Sequence, residues 1–141
     1  MKFFSVEPEI AGWGENTVYS RLVGKRVVHK LHCEFDQWLG DQMVESRACF
    51  IVTTRLARDI EQARLTGASF DAVEVTTSDM FHELYPNRPL PRFVWLKVTG
   101  RAKRHDFGVA SNLLLVVSER AHDVLKRVGV MDAATFTPLE G

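Results

Sequence analysis

The side chains that could do chemistry in this chain are five histidines, two cysteines and a scatter of serines and carboxylates. His29 and His32 are three residues apart on a predicted strand, so their side chains point to opposite faces and are badly placed to share a metal ion. Cys33 and Cys49 stand alone, without the C-x-x-C spacing of zinc and redox sites. We therefore expect no metal site and no cofactor.

A serine hydrolase arrangement can be drawn from Ser118, His105 and Asp106. Nucleophilic serines of the G-x-S-x-G type need small flanking residues to relieve a strained turn, whereas Ser118 lies between Val117 and Glu119. A serine at the start of an amphipathic segment is typical of a helix N-cap. We predict that role for Ser118 instead.

Charged residues concentrate with opposite sign in two segments. The acidic segment, residues 34–45, holds four carboxylates and no basic residue, and the basic segment, residues 88–104, holds no acidic residue. Aromatic side chains within a charged rim are typical of protein-binding surfaces, where the aromatics supply affinity and the charges set the association rate. The predicted partner-binding residues are Trp38, Asp36, Asp41 and Glu45, with Arg88 and Arg101 as a second set.

Two other functions stay open. A small hydrolase or transferase could use a carboxylate and a histidine in a pocket lined by Glu34 or His32. Nucleic acid could bind the basic segment, where Phe93 and Trp95 are interleaved with the charges. Because Phe93 and Trp95 share one face of a predicted strand, they are better explained as core residues.

The predicted strands and helices that carry these candidate residues indicate one α+β domain over residues 1–141, with a loop-rich part at 1–48. Hydrophobic periodicity, caps and breakers define each element. The predicted strands are Met1–Val6, Lys25–Phe35, Cys49–Thr53, Phe70–Val75, Phe93–Val98, Leu113–Val117 and a last one at Thr135 and Phe136. The predicted helices are Arg55–Arg64, a short one that reaches Leu84, and Glu119–Val128 ended by Gly129, with an acidic loop or short helix at Asp36–Arg47.

Two segments, 49–76 and 113–139, show the same weak pattern. Each begins with an apolar strand that ends in a hydroxyl residue, continues into an amphipathic helix and reaches a phenylalanine, Phe70 or Phe136, in a following strand. One such unit cannot cover both of its faces. We therefore predict two strand-helix-strand units that share a mixed β-sheet, with the helices mainly on one face.

Composition sets the remaining limits. The 141 residues are 45% hydrophobic and 26% charged, which is enough for a full core without disulfides or a structural metal. Lys and Arg total 18, as do Asp and Glu, and this balance argues against nucleic acid or an anionic membrane as the partner. No apolar run approaches the roughly 20 residues of a membrane helix, and no signal peptide is evident. We expect a cytoplasmic protein.

Several short motifs are similar to a known family. They are Cys49-Phe50-Ile51-Val52-Thr53, Leu56-Ala57, Thr66-Gly67, Leu90-Pro91-Arg92-Phe93, Val116-Val117-Ser118-Glu119-Arg120 and Phe136-Thr137-Pro138-Leu139. This combination resembles a family of small bacterial immunity proteins of polymorphic toxin systems, first described as domains of unknown function in myxobacteria and other proteobacteria. The resemblance implies a cytoplasmic protein that binds and neutralises a cognate toxin domain without catalysis. It assigns no functional residue.

Overall fold

The computed structural model describes residues 2–128 and 131–140 and confirms the α+β class. The strands are β1 (Phe3–Glu7), β2 (Glu9–Ile10), β3 (Gly12–Trp13), β4 (Val18–Leu22), β5 (Lys25–Lys30), β6 (His32–Phe35), β7 (Met43–Ser46), β8 (Cys49–Thr53), β9 (Ala68–Asp71), β10 (Glu74–Thr77), β11 (Phe93–Val98), β12 (Phe107–Val109), β13 (Leu115–Ser118) and β14 (Thr135–Leu139). The helices are α1 (Thr54–Gln62), α2 (Asp79–Leu84) and α3 (Glu119–Val128). The expected helices are therefore confirmed, α3 with the same bounds.

A five-stranded sheet in the order β2-β7-β8-β11-β9 separates two hydrophobic cores. Phe50 and Val52 of β8 face one core, and Ile51 faces the other. Because both faces are covered, β8 is a continuous run of large apolar side chains rather than an alternating one. Its prediction as a central strand is confirmed.

A four-stranded antiparallel sheet, in the order β12-β13-β1-β14, closes the first core from the other side. Each of the two sheets contains one strand-helix-strand unit. The two strands of the unit are not paired with each other, because a third strand from elsewhere in the chain lies between them and is antiparallel to both. That strand is β11 between β8 and β9, and β1 between β13 and β14. The two units thus have the same arrangement, but the expectation that they share one sheet is wrong.

The helices that link these strands pack against each other. Helix α1 lies on β8 and β11, helix α3 lies on β13 and β1, and both contribute buried side chains such as Leu56 and Leu125 to the first core. Helix α2 is on the other side of the five-stranded sheet, where Phe81 enters the second core. Two of the three helices therefore share one core.

The continuous strand predicted at Lys25–Phe35 is wrong, because the chain changes partners at Leu31. Strand β5 pairs only with β4 in a two-stranded hairpin, whereas β6 joins a three-stranded sheet in the order β10-β6-β3. The carbonyl of Leu31, fully buried between them, accepts a hydrogen bond from the amide of Glu74. Alternation continues through this point in the sequence, so the break carries no local signal.

Other boundaries also differ from the expected ones. Asp36–Arg47 contains strand β7, which turns into β8 through Arg47 and Ala48, both at positive φ. The strand expected at Phe70–Val75 is divided between two sheets as β9 and β10. The expected stop at Gly129 lies outside the described residues.

Hydroxyl caps begin α1, α2 and α3. Thr53 Oγ1 accepts from the amide of Leu56 at 3.2 Å, Ser78 Oγ from Phe81 at 3.3 Å and Ser118 Oγ from Ala121 at 3.1 Å. The predicted N-cap role of Ser118 is thereby confirmed. Within residues 2–128 and 131–140, every helix is too short and too polar to cross a bilayer.

Candidate functional site

The acidic segment, residues 34–45, is largely turned toward the interior. Asp41 is fully buried, and its carboxylate accepts a hydrogen bond from the amide of Ala133 at 3.0 Å. Glu9, also buried, accepts from the amides of Leu39 at 2.7 Å and Asp41 at 3.3 Å. These carboxylates satisfy backbone donors that no strand or helix partner satisfies. Asp41 was predicted to bind a partner, but its side chain is not accessible to one in this conformation.

Trp38 and Arg88, predicted on different segments, lie together. The Trp38 indole donates to the carbonyl of Asp41 at 2.9 Å and meets the ring of Phe93 edge-on. The Arg88 guanidinium lies 4.7 Å from the centre of the Trp38 ring and 4.9 Å from that of Tyr85, and it donates to the Trp38 carbonyl at 2.8 Å. Arg88 therefore holds the loop of Trp38 in place, with the aromatic side chain half-buried.

The other predicted contact residues are spread over the surface. Asp36 and Arg101 are exposed and Glu45 is half-buried on β7. Burial raises the pKa of Glu45 from its usual value, with a backbone hydrogen bond from Ala48 opposing the rise. The structure brings Trp38, Asp41 and Arg88 together and leaves their role in partner binding a prediction.

Burial also governs the titration of the two inner carboxylates. It raises the pKa of Glu9 and of Asp41 above their ordinary values, and the backbone hydrogen bonds that each accepts limit the rise. Repulsion from Asp41 raises the pKa of Glu9 further, and repulsion from Asp132 raises that of Asp41. Both groups are thus part of the folded core rather than of a charged rim.

His32, the histidine of the enzymatic alternative, is buried with both ring nitrogens occupied. Nδ1 accepts from the amide of Asn16 at 3.1 Å, so Nε2 carries the proton and donates to the hydroxyl of Thr76 at 2.7 Å. Thr76 in turn donates to Glu34 at 3.3 Å. A side chain on Gly14 would collide with the His32 ring. A histidine closed in this way has no free nitrogen to take a proton from a substrate.

Ser118 and Asp106 do touch, as the hydrolase arrangement requires, but in a structural network. Ser118 Oγ donates to Asp106 at 2.6 Å, and Arg120 and the Thr66 amide bind the second carboxylate oxygen at 2.8 and 2.7 Å. Burial alone would raise the pKa of Asp106, but the hydrogen bonds from Arg120, Ser118 and Thr66 lower it to about 2. His105 accepts from the amide of Arg101 instead of approaching Ser118.

The cysteines are equally unsuited to catalysis. Burial raises the pKa of the Cys33 thiol to about 12, and it raises the pKa of Cys49 as well. Thiolates, not thiols, are the nucleophiles, so burial disfavours the reactive form of both groups. In residues 2–128 and 131–140, no three His, Cys, Asp or Glu side chains converge as metal ligands.

The basic segment lines an open groove beside the aromatic core. Phe93 and Trp95 are buried, which confirms their assignment to the core rather than to a stacking surface. A groove of about 660 Å³ runs between β10, α2 and β11, with Arg88, Arg92 and His82 on its walls. His82 Nε2 forms a hydrogen bond with the hydroxyl of Thr77 at 2.9 Å. The groove is open and holds no buried polar side chain that lacks a partner.

The most exposed apolar surface was missed by the sequence analysis. It is the hairpin formed by β4 and β5, here called the basic hairpin, residues 18–30. All five residues of β4 are exposed, and Leu22 and Val23 at the tip are 67% and 94% exposed. The hairpin contains Arg21, Lys25, Arg26 and Lys30 and no carboxylate. Exposed apolar groups rimmed by charge are typical of interaction sites.

One face of the basic hairpin contacts the body, both near the tip through Arg26 and at the base through Lys30. The guanidinium of Arg26 lies 4.8 Å from the centre of the Trp13 ring, which also meets Tyr19 edge-on. Lys30 pairs with Glu74 at 3.2 Å at the base. One sequence signal could have revealed this element: two segments that contain β-branched or aromatic residues, 18–22 and 25–30, are separated by two residues that end in glycine.

Comparison with known proteins adds no identity. The chain matches no protein-family model and none of the curated proteins at a significant level.

Proposed function

We propose that this protein is a non-catalytic immunity factor that binds a cognate bacterial toxin domain and neutralises it by direct contact. The observation that carries the proposal is the basic hairpin, a two-stranded ribbon whose apolar tip side chains find no packing partner among the described residues. Leaving large apolar groups in water costs the folded protein the stabilisation that their burial would supply. A partner that covers them would recover it.

The internal use of the reactive groups supports the same function. His32, Asp106 and Cys33 are buried in networks that stabilise the fold, which disfavours the alternative of a carboxylate-histidine hydrolase or transferase. The resemblance to immunity proteins agrees with a binding role. Two free cysteines suit a reducing compartment, so we place the protein in the cytoplasm.

The test is co-expression with the toxin domain encoded next to this gene. We expect the toxin alone to stop growth, and co-expression to restore growth and yield a complex that co-purifies. Titration separates binding from catalysis, because a binder protects only when it is at least equimolar with the toxin. Rescue at strongly substoichiometric amounts, or rescue without any complex, would contradict the proposal. A harmless neighbour that forms no complex would contradict it as well.

A further inference from the structure

The two faces of the basic hairpin are different. Cross-strand neighbours share a face, and the pair Arg21–Arg26 lies on the side that turns toward Trp13. The pairs Leu22–Lys25 and Ser20–Val27 therefore lie on the opposite, outer face. Burial agrees, because Arg26 is half-buried while Lys25 and Val27 are exposed. The outer face thus combines the apolar Leu22 and Val27 with the polar Ser20 and the charged Lys25.

The tip of the hairpin carries backbone strain. Val23 and Gly24 form the two-residue turn, with φ values of 52° and 75°. Turns with two positive φ values favour Asn-Gly, because a β-branched side chain is disfavoured in the left-handed region. Val23 thus destabilises the turn and contacts solvent over 94% of its surface. Backbone strain of this kind is concentrated at functional sites, where another interaction offsets its cost.

The charges of the hairpin indicate the sign of the partner surface. Arg21 and Lys25 flank the tip, and neither has an ionic partner among residues 2–128 and 131–140. The chain as a whole has zero formal charge, so the positive charge of the hairpin is a local excess. Complementary charge accelerates association and suppresses wrong partners. A surface of this kind fits an acidic one.

We propose that the basic hairpin enters an acidic cleft of the toxin domain, with Leu22 and Val23 in its apolar floor and Arg21 and Lys25 on its rim. This inference rests on the proposed function and names the docking element. It also limits the mode of neutralisation, because a positively charged hairpin cannot imitate a polyanionic substrate such as nucleic acid. If the toxin acts on nucleic acid, the hairpin binds away from the basic site that holds that substrate.

A protein cleft explains the hairpin better than a membrane or a nucleic acid. Exposed apolar side chains extend from the tip back to Val18, four residues before Leu22, or about 13 Å at the rise of a strand. A tip that dips into lipid headgroups would leave that length uncovered. Single-stranded nucleic acid is bound by aromatic stacking, whereas the two most exposed apolar side chains of the hairpin, Leu22 and Val23, are aliphatic.

The test measures neutralisation and complex formation with three variants at the hairpin. Val23→Asn keeps the turn favourable, so we expect a melting temperature at or above that of the wild type together with weaker toxin binding. Leu22→Ser should raise the Kd at least about tenfold. Lys25→Glu should slow association, with the difference shrinking at high salt.

Two matched controls accompany these variants. Leu84→Ser removes an exposed leucine of helix α2, and Arg104→Glu reverses an exposed charge of the 101–106 turn. Both should bind the toxin as the wild type does. If wild-type protein neutralises and the hairpin variants bind equally well, the hairpin assignment is wrong while the immunity function stands. If the wild type itself neither binds nor rescues, the proposed function fails.

Two further binding experiments test a membrane and a nucleic acid as alternative partners of the hairpin. Wild-type protein and Lys25→Glu are mixed with vesicles that contain phosphatidylserine and with a single-stranded RNA of mixed sequence. We expect no hairpin-dependent binding to either at physiological salt. Binding of vesicles or RNA that is lost in Lys25→Glu, combined with unchanged toxin affinity of that variant, would overturn the proposal.

Discussion

The acidic segment and the basic hairpin differ in where their charges go. In the acidic segment, Asp41 is fully buried and, with Glu9, accepts hydrogen bonds from three backbone amides. In the basic hairpin, Arg21 and Lys25 extend into solvent beside the exposed side chains of Leu22 and Val23. The first region uses charge to stabilise irregular backbone. The second presents charge on a surface.

This difference shows how a charged segment should be interpreted. A carboxylate buried beside orphan amides belongs to the fold, because removing it leaves those donors without an acceptor. A charge that makes no internal contact contributes little to stability, so its removal tests binding alone. The two regions should therefore respond to substitution in opposite ways.

The largest effect is expected for Asp41→Ala. Asp41 is fully buried, so the substitution opens a small cavity at its position and also removes the acceptor of the Ala133 amide; the free energy of unfolding should fall by about 3 kcal/mol. Urea denaturation followed by tryptophan fluorescence measures it. The control is Asp36→Ala, an exposed carboxylate of the same segment, which should change stability by less than about 0.5 kcal/mol. If Asp41→Ala and Asp36→Ala lowered the free energy of unfolding equally, the distinction between buried and exposed carboxylates of the acidic segment would be wrong.

A second prediction extends the contrast to the Asp106 network. The pKa of Asp106 is about 2 when folded and 3.8 in its ordinary state, so the unfolded chain takes up the proton first as pH falls. The stabilisation, about 2 kcal/mol, is complete above about pH 4 and is lost as pH falls toward 2. Glu9 and Asp41 have the opposite effect on the pH dependence of stability. Their pKa values are raised in the folded state, so the folded chain takes up their protons first as pH falls.

Asp106→Asn should therefore lower stability at pH 7 by about 2 kcal/mol and flatten the loss between pH 4 and pH 2. Thermal unfolding across this range measures both quantities. Asp71→Asn is the matched control, because Asp71 pairs with Lys97 on the surface with 55% of its side chain exposed. An unchanged acid profile in Asp106→Asn would show that this network does not set the acid stability.

The smallest effect is expected in the hairpin. Leu22→Ser should change the free energy of unfolding by less than about 0.5 kcal/mol, since the side chain is already in water. Val44→Ser, at a fully buried position of the acidic segment, should lower it by about 3 kcal/mol. Paired urea titrations compare the two. A loss of more than about 1 kcal/mol in Leu22→Ser would mean that the Leu22 side chain itself packs on the body.

Elements with local signals were predictable from the sequence. Helix α3 has the expected bounds because Ser118 caps it and its apolar residues recur at helical spacing. Strand β11 likewise matches the expected Phe93–Val98. Strand partners were not predictable. Strand β6 does not continue β5, because β6 pairs with residues 12–13 and 74–77, which are distant from it in sequence.

The site was harder to predict than the fold. The burial of Asp41 depends on the amide of Ala133, 92 residues away, which no local pattern reveals. The proximity of Trp38 and Arg88 is likewise a product of tertiary structure, although both were singled out as aromatic and charged candidates. The hairpin was within reach of the sequence, but its alternation merged with that of residues 32–35 into one strand.

The position of β1 between the two strands of the second unit has a consequence for synthesis on the ribosome. Strand β1 is an inner strand of its sheet, yet both of its neighbours, β13 (Leu115–Ser118) and β14 (Thr135–Leu139), lie far from it in sequence. Val6, fully buried in the folded protein, therefore stays without its partners until β13 and β14 have emerged. Translation thus precedes completion of the first core, and the nascent chain needs protection from aggregation during that interval.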